Sequence, residues 1–277
     1  MAGESSRIAE DIWDRQSNTE GASRFSVAGK SIVITGATGA LGSVAARALT
    51  QAGARLTLAG GNMTGLRKLA DAAGIDHAAV VARRPDSPAD AAAIIDAAVA
   101  RHGRLDGVLT ASGMNHVKPI TEMAVEDFDA VMDANVRGCW LMCQAAGRVL
   151  LAQGKGGSIV LVSSVRGALG HPGGYSAYCP SKAATDLLAK TLAAEWGARG
   201  IRVNALAPTV FRSELTAWMY ADDEKGRSTR EAMFARIPLR RFAEPEDFIG
   251  ALLYLLSDAS RFFTGQVMHL DGGYTAC

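Results

Sequence analysis

From Ser31 onward, short β-branched or apolar runs alternate with longer Ala/Leu-rich stretches of helical period. No other feature narrows the possible folds as far, because strands separated by helix-length segments assemble as βαβ units around a parallel sheet. The pattern predicts strands at 31–35, 55–59, 78–82, 105–111, 158–163, 201–206 and 267–270. Several of these are apolar throughout, as strands covered on both faces must be. Helices are predicted at 41–52, 64–73, 89–102, 125–151, 177–198 and 245–257, with Gly53, Gly74, Gly103 and Gly200 standing where a left-handed C-cap favours glycine. No internal repeat, low-complexity tract or linker divides the chain, so residues 26–277 read as a single α/β domain.

Charge and cysteine content remove several function classes. With 29 basic and 28 acidic residues the formal net charge is +1, which gives no one-signed field for nucleic acid or an anionic membrane. A small-molecule substrate is the expected partner. Cys139 and Cys143 would share a helix face, but two thiols without further ligands read as small buried hydrophobes, and no metal is predicted. The spacing of the four cysteines is not that of a secreted disulfide scaffold. Residues 1–25 lack the apolar stretch of a signal peptide and no later run is long enough to span a bilayer, so a soluble, cytoplasmic protein is expected. The polar start reads as a flexible N-terminal arm, or as a short helix docking Ile8, Ile12 and Trp13 on a neighbour. Residues 211–242, charged and aromatic, read as a lid over the carboxyl ends of the strands or as a solvated excursion.

Two local motifs carry chemistry. After the first strand stands Thr35-Gly36-Ala37-Thr38-Gly39-Ala40-Leu41-Gly42, running straight into a helix. Glycines here let the backbone turn sharply and approach a pyrophosphate, while the helix N-terminus offers free N–H groups and the positive end of a dipole. The second motif is Tyr178-Cys179-Pro180-Ser181-Lys182, at the start of an apolar-periodic helix. Residues four apart lie on one helix face, so the Lys182 ammonium sits where it stabilises a Tyr178 phenolate. An unassisted phenol is a poor base near neutrality, so proton transfer by tyrosine needs such a cation.

The glycine motif, together with Asn135, Ser164, Tyr178 and Lys182 in that order, resembles the short-chain dehydrogenase/reductase family. The resemblance runs from about Phe25 to Tyr274. It implies a doubly wound Rossmann-type sheet of about seven parallel strands flanked by helices. It also implies an NAD or NADP cofactor and a carbonyl/secondary-alcohol interconversion, with Tyr178 as general acid/base, Ser164 holding the reacting oxygen, Lys182 assisting Tyr178, and Asn135 linked to a proton relay through a helix distortion and a water. By the same resemblance the cofactor lies along Gly36, Thr38, Gly39, Ala40, Leu41, Gly42, Gly60, Gly113, Pro208, Val210 and Ser213, besides Tyr178 and Lys182. A homotetramer or homodimer is expected, as is usual in the family.

The chain departs from the family at several cofactor-facing positions. Ala40 replaces a glycine, Gly60 stands where an acidic residue commonly binds the adenosine ribose, Thr110 and Ala111 replace asparagines, and Thr209 replaces a glycine. Arg83 and Arg84, at the end of the third strand, read as a solvated pair. NAD and NADP are not distinguished. Ser163 and Tyr175 are rivals to Ser164 and Tyr178, but four residues beyond Tyr175 stands Cys179, and strand alternation turns Ser163 to the other face. His116, His171, Tyr175 and Trp218, with Asn115 and Tyr220, are candidates to line a moderately polar substrate pocket. A protein that keeps this fold for binding or regulation, without turnover, is the competing reading.

Overall fold

The computed structural model describes residues 23–276. The expected arm at 1–25 therefore lies outside the described residues except for Ser23–Phe25, a 3-10 turn whose Phe25 ring sits 6.2 Å from that of Tyr254.

One seven-stranded sheet organises the chain. Its strands are β1 (Ser31–Thr35), β2 (Arg55–Ala59), β3 (Val80–Val81), β4 (Gly107–Thr110), β5 (Gly157–Val162), β6 (Ile201–Pro208) and β7 (Val267–Leu270), all parallel, in the order β3-β2-β1-β4-β5-β6-β7. Helices connect them: α1 (Ala40–Gln51), α2 (Met63–Ala73), α3 (Pro88–His102), α4 (Val125–Met132), α5 (Gly138–Gln153), α6 (Tyr178–Trp196), α7 (Glu224–Arg236) and α8 (Asp247–Leu256). Alternation along the strands sends residues to two separate cores. Val33, Val108, Ile159 and Val203 pack with α3, α5 and α6, while Ile32, Ile34, Leu109 and Val160 pack with α1, α2 and α8. Both faces of the sheet are thus dry, which accounts for strands that read apolar throughout.

Local chemistry explains where the elements depart from the expected bounds. β3 is confined to two residues because His77–Ala79 turns as a 3-10 helix, with the Asp76 carboxylate accepting from the Ala78 N–H at 2.8 Å. β4 starts late because the Gln153 side chain takes both the N–H and the C=O of Leu105, at 2.9 and 2.8 Å. The helix expected over 125–151 is interrupted by a π turn at Asp133–Arg137 between α4 and α5. A widened turn is rare and concentrates at functional sites; this one carries Asn135.

The sheet reverses its winding between β1 and β4, and their carboxyl ends meet. The Ala111 N–H donates to the Thr35 carbonyl at 3.1 Å. Open α/β sheets take ligands at this crevice. Residues 211–242 fold as a 3-10 segment, Glu214–Tyr220, followed by α7. The end of this stretch packs against the turn after β5 through Val165, Ile237, Phe242 and Tyr274. No described helix is long and apolar enough to cross a membrane.

Candidate active site

The loop from β1 into α1 leaves no room for side chains where the motif has Gly36 and Gly42. Gly36 adopts a φ of +65°, and a Cβ there would stand 2.6 Å from the carbonyl carbon of Ala111. At Gly42 a Cβ would meet the Gly36 carbonyl oxygen at 2.3 Å. Gly39 caps α1 without a side-chain hydrogen bond, so the first-turn N–H groups of α1 face the crevice uncapped by any side chain. Ala40 is the first helical residue, where an ordinary φ/ψ suits alanine, and Leu41 anchors the turn in the core. Thr38 faces the start of α2, its methyl 3.1 Å from where a Gly65 Cβ would be. A bare backbone cradle ahead of an uncapped helix fits the pyrophosphate of a dinucleotide.

A Cβ on Gly60 would have only Leu66 methyl carbons near it, at 3.9 and 4.0 Å, so no steric reason excludes a side chain there. Arg83 and Arg84 are both exposed. Arg83 pairs with Asp90 at 2.7 Å, whereas the Arg84 side chain lies across Gly61, its Nε 2.8 Å from where a Gly61 Cβ would stand. Among the described residues Arg84 has no carboxylate partner.

The second group gathers at the carboxyl ends of β4 and β5. Tyr178 opens α6, and the Lys182 ammonium one turn later lies 5.6 Å from the centre of its ring. Lys182 is 4% exposed and donates to the Val162 carbonyl at 2.9 Å, which ties the end of β5 to α6. Asn135, 2% exposed, is held from three directions. Its Oδ1 accepts from the Met114 N–H at 2.8 Å, and its Nδ2 donates to the Met114 carbonyl and to Ser181 Oγ, each at 2.9 Å. The π turn therefore clamps the loop after β4 against α6. Gly113 closes the arrangement: a Cβ there would be 3.1 Å from Asn135 Oδ1 and 3.5 Å from Lys182 Nζ. The amide of Asn135 is spent on these partners.

The two serines at the end of β5 separate cleanly. Ser163 points inward and donates to the Lys182 carbonyl at 3.3 Å. Ser164 Oγ accepts the Arg166 backbone N–H at 3.2 Å, which leaves its own hydrogen free to donate. Tyr175 and His171 continue from Tyr178 as a wall of rings, with centroid separations of 6.0 Å from Tyr178 to Tyr175 and 4.4 Å from Tyr175 to His171. Both line a cleft of about 430 Å³ with Pro119, Ile120 and Cys179. Burial, followed by the charges of Arg166 and Arg236, holds the His171 imidazole below its ordinary value, and burial raises the Tyr175 phenol.

The remaining expected positions make contacts of their own. His116 pairs with Asp127 on α4 at 3.6 Å. Trp218 is 43% exposed beneath the Lys225 ammonium, 4.8 Å from the ring centre. Pro208 ends β6, the Val210 carbonyl accepts from Ala243 N–H, and the Ser213 hydroxyl is 3.0 Å from that of Thr216. Sequence reasoning missed Ser181, Arg166 and Tyr274. Ser181 stood inside the Tyr-to-Lys motif, and its place before Lys182 was the available signal. The other two are brought in by tertiary packing.

A family profile described as enoyl-(acyl carrier protein) reductase matches residues 36–275. The chain belongs to the short-chain dehydrogenase/reductase family. It is 78% identical over 257 residues to an uncharacterized oxidoreductase of Mycobacterium tuberculosis, covering 93% of this chain and 95% of that relative. It is 37% identical over 256 residues to D-threitol dehydrogenase of Mycolicibacterium smegmatis, covering 91% and 95%. Among solved structures, gluconate 5-dehydrogenase from Burkholderia cenocepacia, in complex with NADP and tartrate, superposes with a TM-score of 0.82 at 30% identity, over 92% of this chain and 98% of that one. The reaction class is accordingly that of an NAD(P)-dependent oxidoreductase acting on CH–OH and C=O groups.

Proposed function

We propose that this protein interconverts a ketone and a secondary alcohol on a small polar substrate, with Tyr178 as the proton donor and acceptor. The observation that carries the reading is the convergence of Lys182, Asn135 and Gly113 beside Tyr178, at the sheet crevice into which the glycine cradle opens. A nicotinamide dinucleotide held along Gly36, Gly42 and the start of α1 would supply or accept the hydride at the substrate carbon. In the reducing direction the C=O π bond breaks as the carbon gains hydride and the oxygen takes the Tyr178 proton. Ser164, its Oγ already accepting from Arg166 N–H, donates its own hydrogen to that oxygen and fixes its position. Lys182 stabilises the phenolate left on Tyr178. Asn135 acts by positioning, through Met114 and Ser181.

The adenosine end favours NADP. A 2′-phosphate meets no carboxylate at Gly60 or Gly61, and Arg84 lies across Gly61 with its charge unpaired. The names of the relatives, threitol and gluconate dehydrogenases, support a polyol or sugar acid as substrate. Exposed Val125, Phe128, Trp140 and Leu187 on α4, α5 and α6 support self-association through those helices, as a homotetramer or homodimer. The spacing of the four cysteines, unlike that of a secreted disulfide scaffold, supports a cytoplasmic location.

Initial rates with NADPH and with NADH, against a panel of ketones and their alcohols, test the reading. NADPH is expected to be preferred, and Arg84→Ala should weaken NADPH by about tenfold while leaving NADH unchanged. Equal losses for both cofactors would remove the assignment of Arg84 to the 2′-phosphate.

A further inference from the structure

Two arginines beside the aromatic wall are left without counter-charges. Arg166 lies two residues beyond Ser164 and donates to the Gly170 carbonyl and to the Tyr274 hydroxyl, both at 3.2 Å. Arg236, in the last turn of α7, reaches the same tyrosine from another element, its guanidinium carbon 4.3 Å from the ring centre; that of Arg166 is at 5.5 Å. The two guanidinium carbons are therefore within about 10 Å of one another, the most that two points at these distances from one centroid allow. Neither has a carboxylate partner among the described residues. Asp271, close by in sequence to Tyr274, spends its carboxylate on the Gly273 and Thr275 N–H groups and the Thr275 hydroxyl.

Tyr274 itself is 1% exposed, so the ring beneath the two cations is a fixed platform rather than a mobile side chain. Arg166 donates to the carbonyl of Gly170, which lines the cleft beside His171 and Tyr175, so the pair over Tyr274 stands at that end of the cleft. Two like charges within about 10 Å of one another repel, and both gain from an anion held near them. Their hydrogen-bond inventories indicate which anion. Arg166 has already committed a proton from each terminal nitrogen to Gly170 and Tyr274, whereas Arg236 donates none to the protein. One open guanidinium fork matches the two coplanar oxygens of a carboxylate.

We propose that Arg236, backed by the charge of Arg166 and seated on Tyr274, binds a carboxylate carried by the substrate several bonds from the reacting carbon, so that the enzyme prefers oxo acids and hydroxy acids to neutral polyols. This rests on the dehydrogenase reading of the site, which it narrows to a substrate class. It also gives the segment at 211–242 a task, since α7 delivers one half of the clamp.

The test uses the full chain with NADP+ present, comparing wild type with Arg236→Gln. Arg236 is exposed and makes no hydrogen bond to the protein, so the variant loses only its contact with the Tyr274 ring and should stay folded, with a melting temperature within a few degrees of wild type. Binding is measured by calorimetry with malonate, with inorganic phosphate and with the neutral polyol glycerol as probes. Malonate should bind wild type, and Arg236→Gln should weaken it by about tenfold. Gluconate and threitol are then assayed as substrates: the variant should raise KM for gluconate by about tenfold at nearly constant kcat and leave KM for threitol unchanged. Equal malonate binding by both proteins overturns the proposal, and so does phosphate binding tighter than malonate. Turnover of neutral alcohols with malonate binding indifferent to Arg236 removes the clamp and keeps the dehydrogenase. Loss of malonate binding in the variant of a protein that turns over no alcohol with either cofactor keeps the clamp and removes the dehydrogenase reading.

Discussion

Replacing Gly42 by alanine adds one methyl group where the fold has no space for it. The new Cβ would lie 2.3 Å from the Gly36 carbonyl oxygen and 2.9 Å from Ala37 Cα, against 3.4 Å for ordinary contact. Both neighbours are backbone, so no rotamer change relieves the clash, and α1 must retreat from the turn by about 1 Å. Overpacking of this kind costs about 1–3 kcal/mol. At about 2–4 °C per kcal/mol for a chain of this size, the melting temperature should fall by about 2–12 °C. The same retreat withdraws the first-turn N–H groups of α1 from the pyrophosphate, and NADPH should bind about tenfold more weakly. Gly60→Ala is the matched control, because its Cβ would meet nothing closer than 3.9 Å, and its effect should stay within about 0.5 kcal/mol. Thermal melting followed by circular dichroism, with NADPH fluorescence titration, reads both quantities. A Gly42→Ala protein with wild-type melting and affinity, or a Gly60→Ala protein equally damaged, would refute the packing argument.

Other consequences follow from individual contacts. Asn135→Ala leaves the half-buried N–H and carbonyl of Met114 without their partner, while Ser181 Oγ keeps its bond to the Tyr178 carbonyl, so denaturant titration should show a loss of about 1–3 kcal/mol; a loss below about 0.5 kcal/mol would contradict this role. Burial raises the Asp186 carboxyl above its ordinary value of 3.8, so above that pH the unfolded chain gives up its proton before the folded one, and stability falls as pH rises through the raised value. Asp186→Asn should accordingly be more stable than wild type at pH 7, with the advantage shrinking as pH drops toward 3.8; a variant less stable at pH 7 sinks the argument. His171 is shifted the other way, chiefly by burial, so protonation on acidification destabilises the fold. Stability should fall as pH drops below about 6.5 through the lowered value, and His171→Gln should reduce that loss; an unchanged acid limb in denaturant titrations would count against it.

What the sequence reveals is whatever depends on period and spacing. Ile32 and Ile34 against Val33 already encode two cores on a doubly covered sheet, and Tyr178 with Lys182 encodes one helix face. The distortion at Asn135 came only with the family resemblance, since the helical period runs unbroken over 125–151, and its partners Met114 and Ser181 arrive from a loop and another helix. The structure departs from expectation where one distant side chain decides the outcome. Gln153, at the end of α5, shortens β4 by taking the polar groups of Leu105. Arg166, Arg236 and Tyr274 come from three separate stretches of chain, and no local pattern announces that they meet over one ring.

The central claim, that Tyr178 moves the proton in a hydride-transfer reaction, is tested most directly by Tyr178→Phe, which removes one oxygen from a side chain whose ring stays packed against Tyr175. NADPH affinity and kcat on a ketone turned over by the wild type are measured together. The expected result is unchanged NADPH affinity with kcat reduced by about 10²–10⁴-fold, the contribution of a positioned general acid. A Tyr178→Phe protein that binds NADPH and reduces the ketone at the wild-type rate would contradict it.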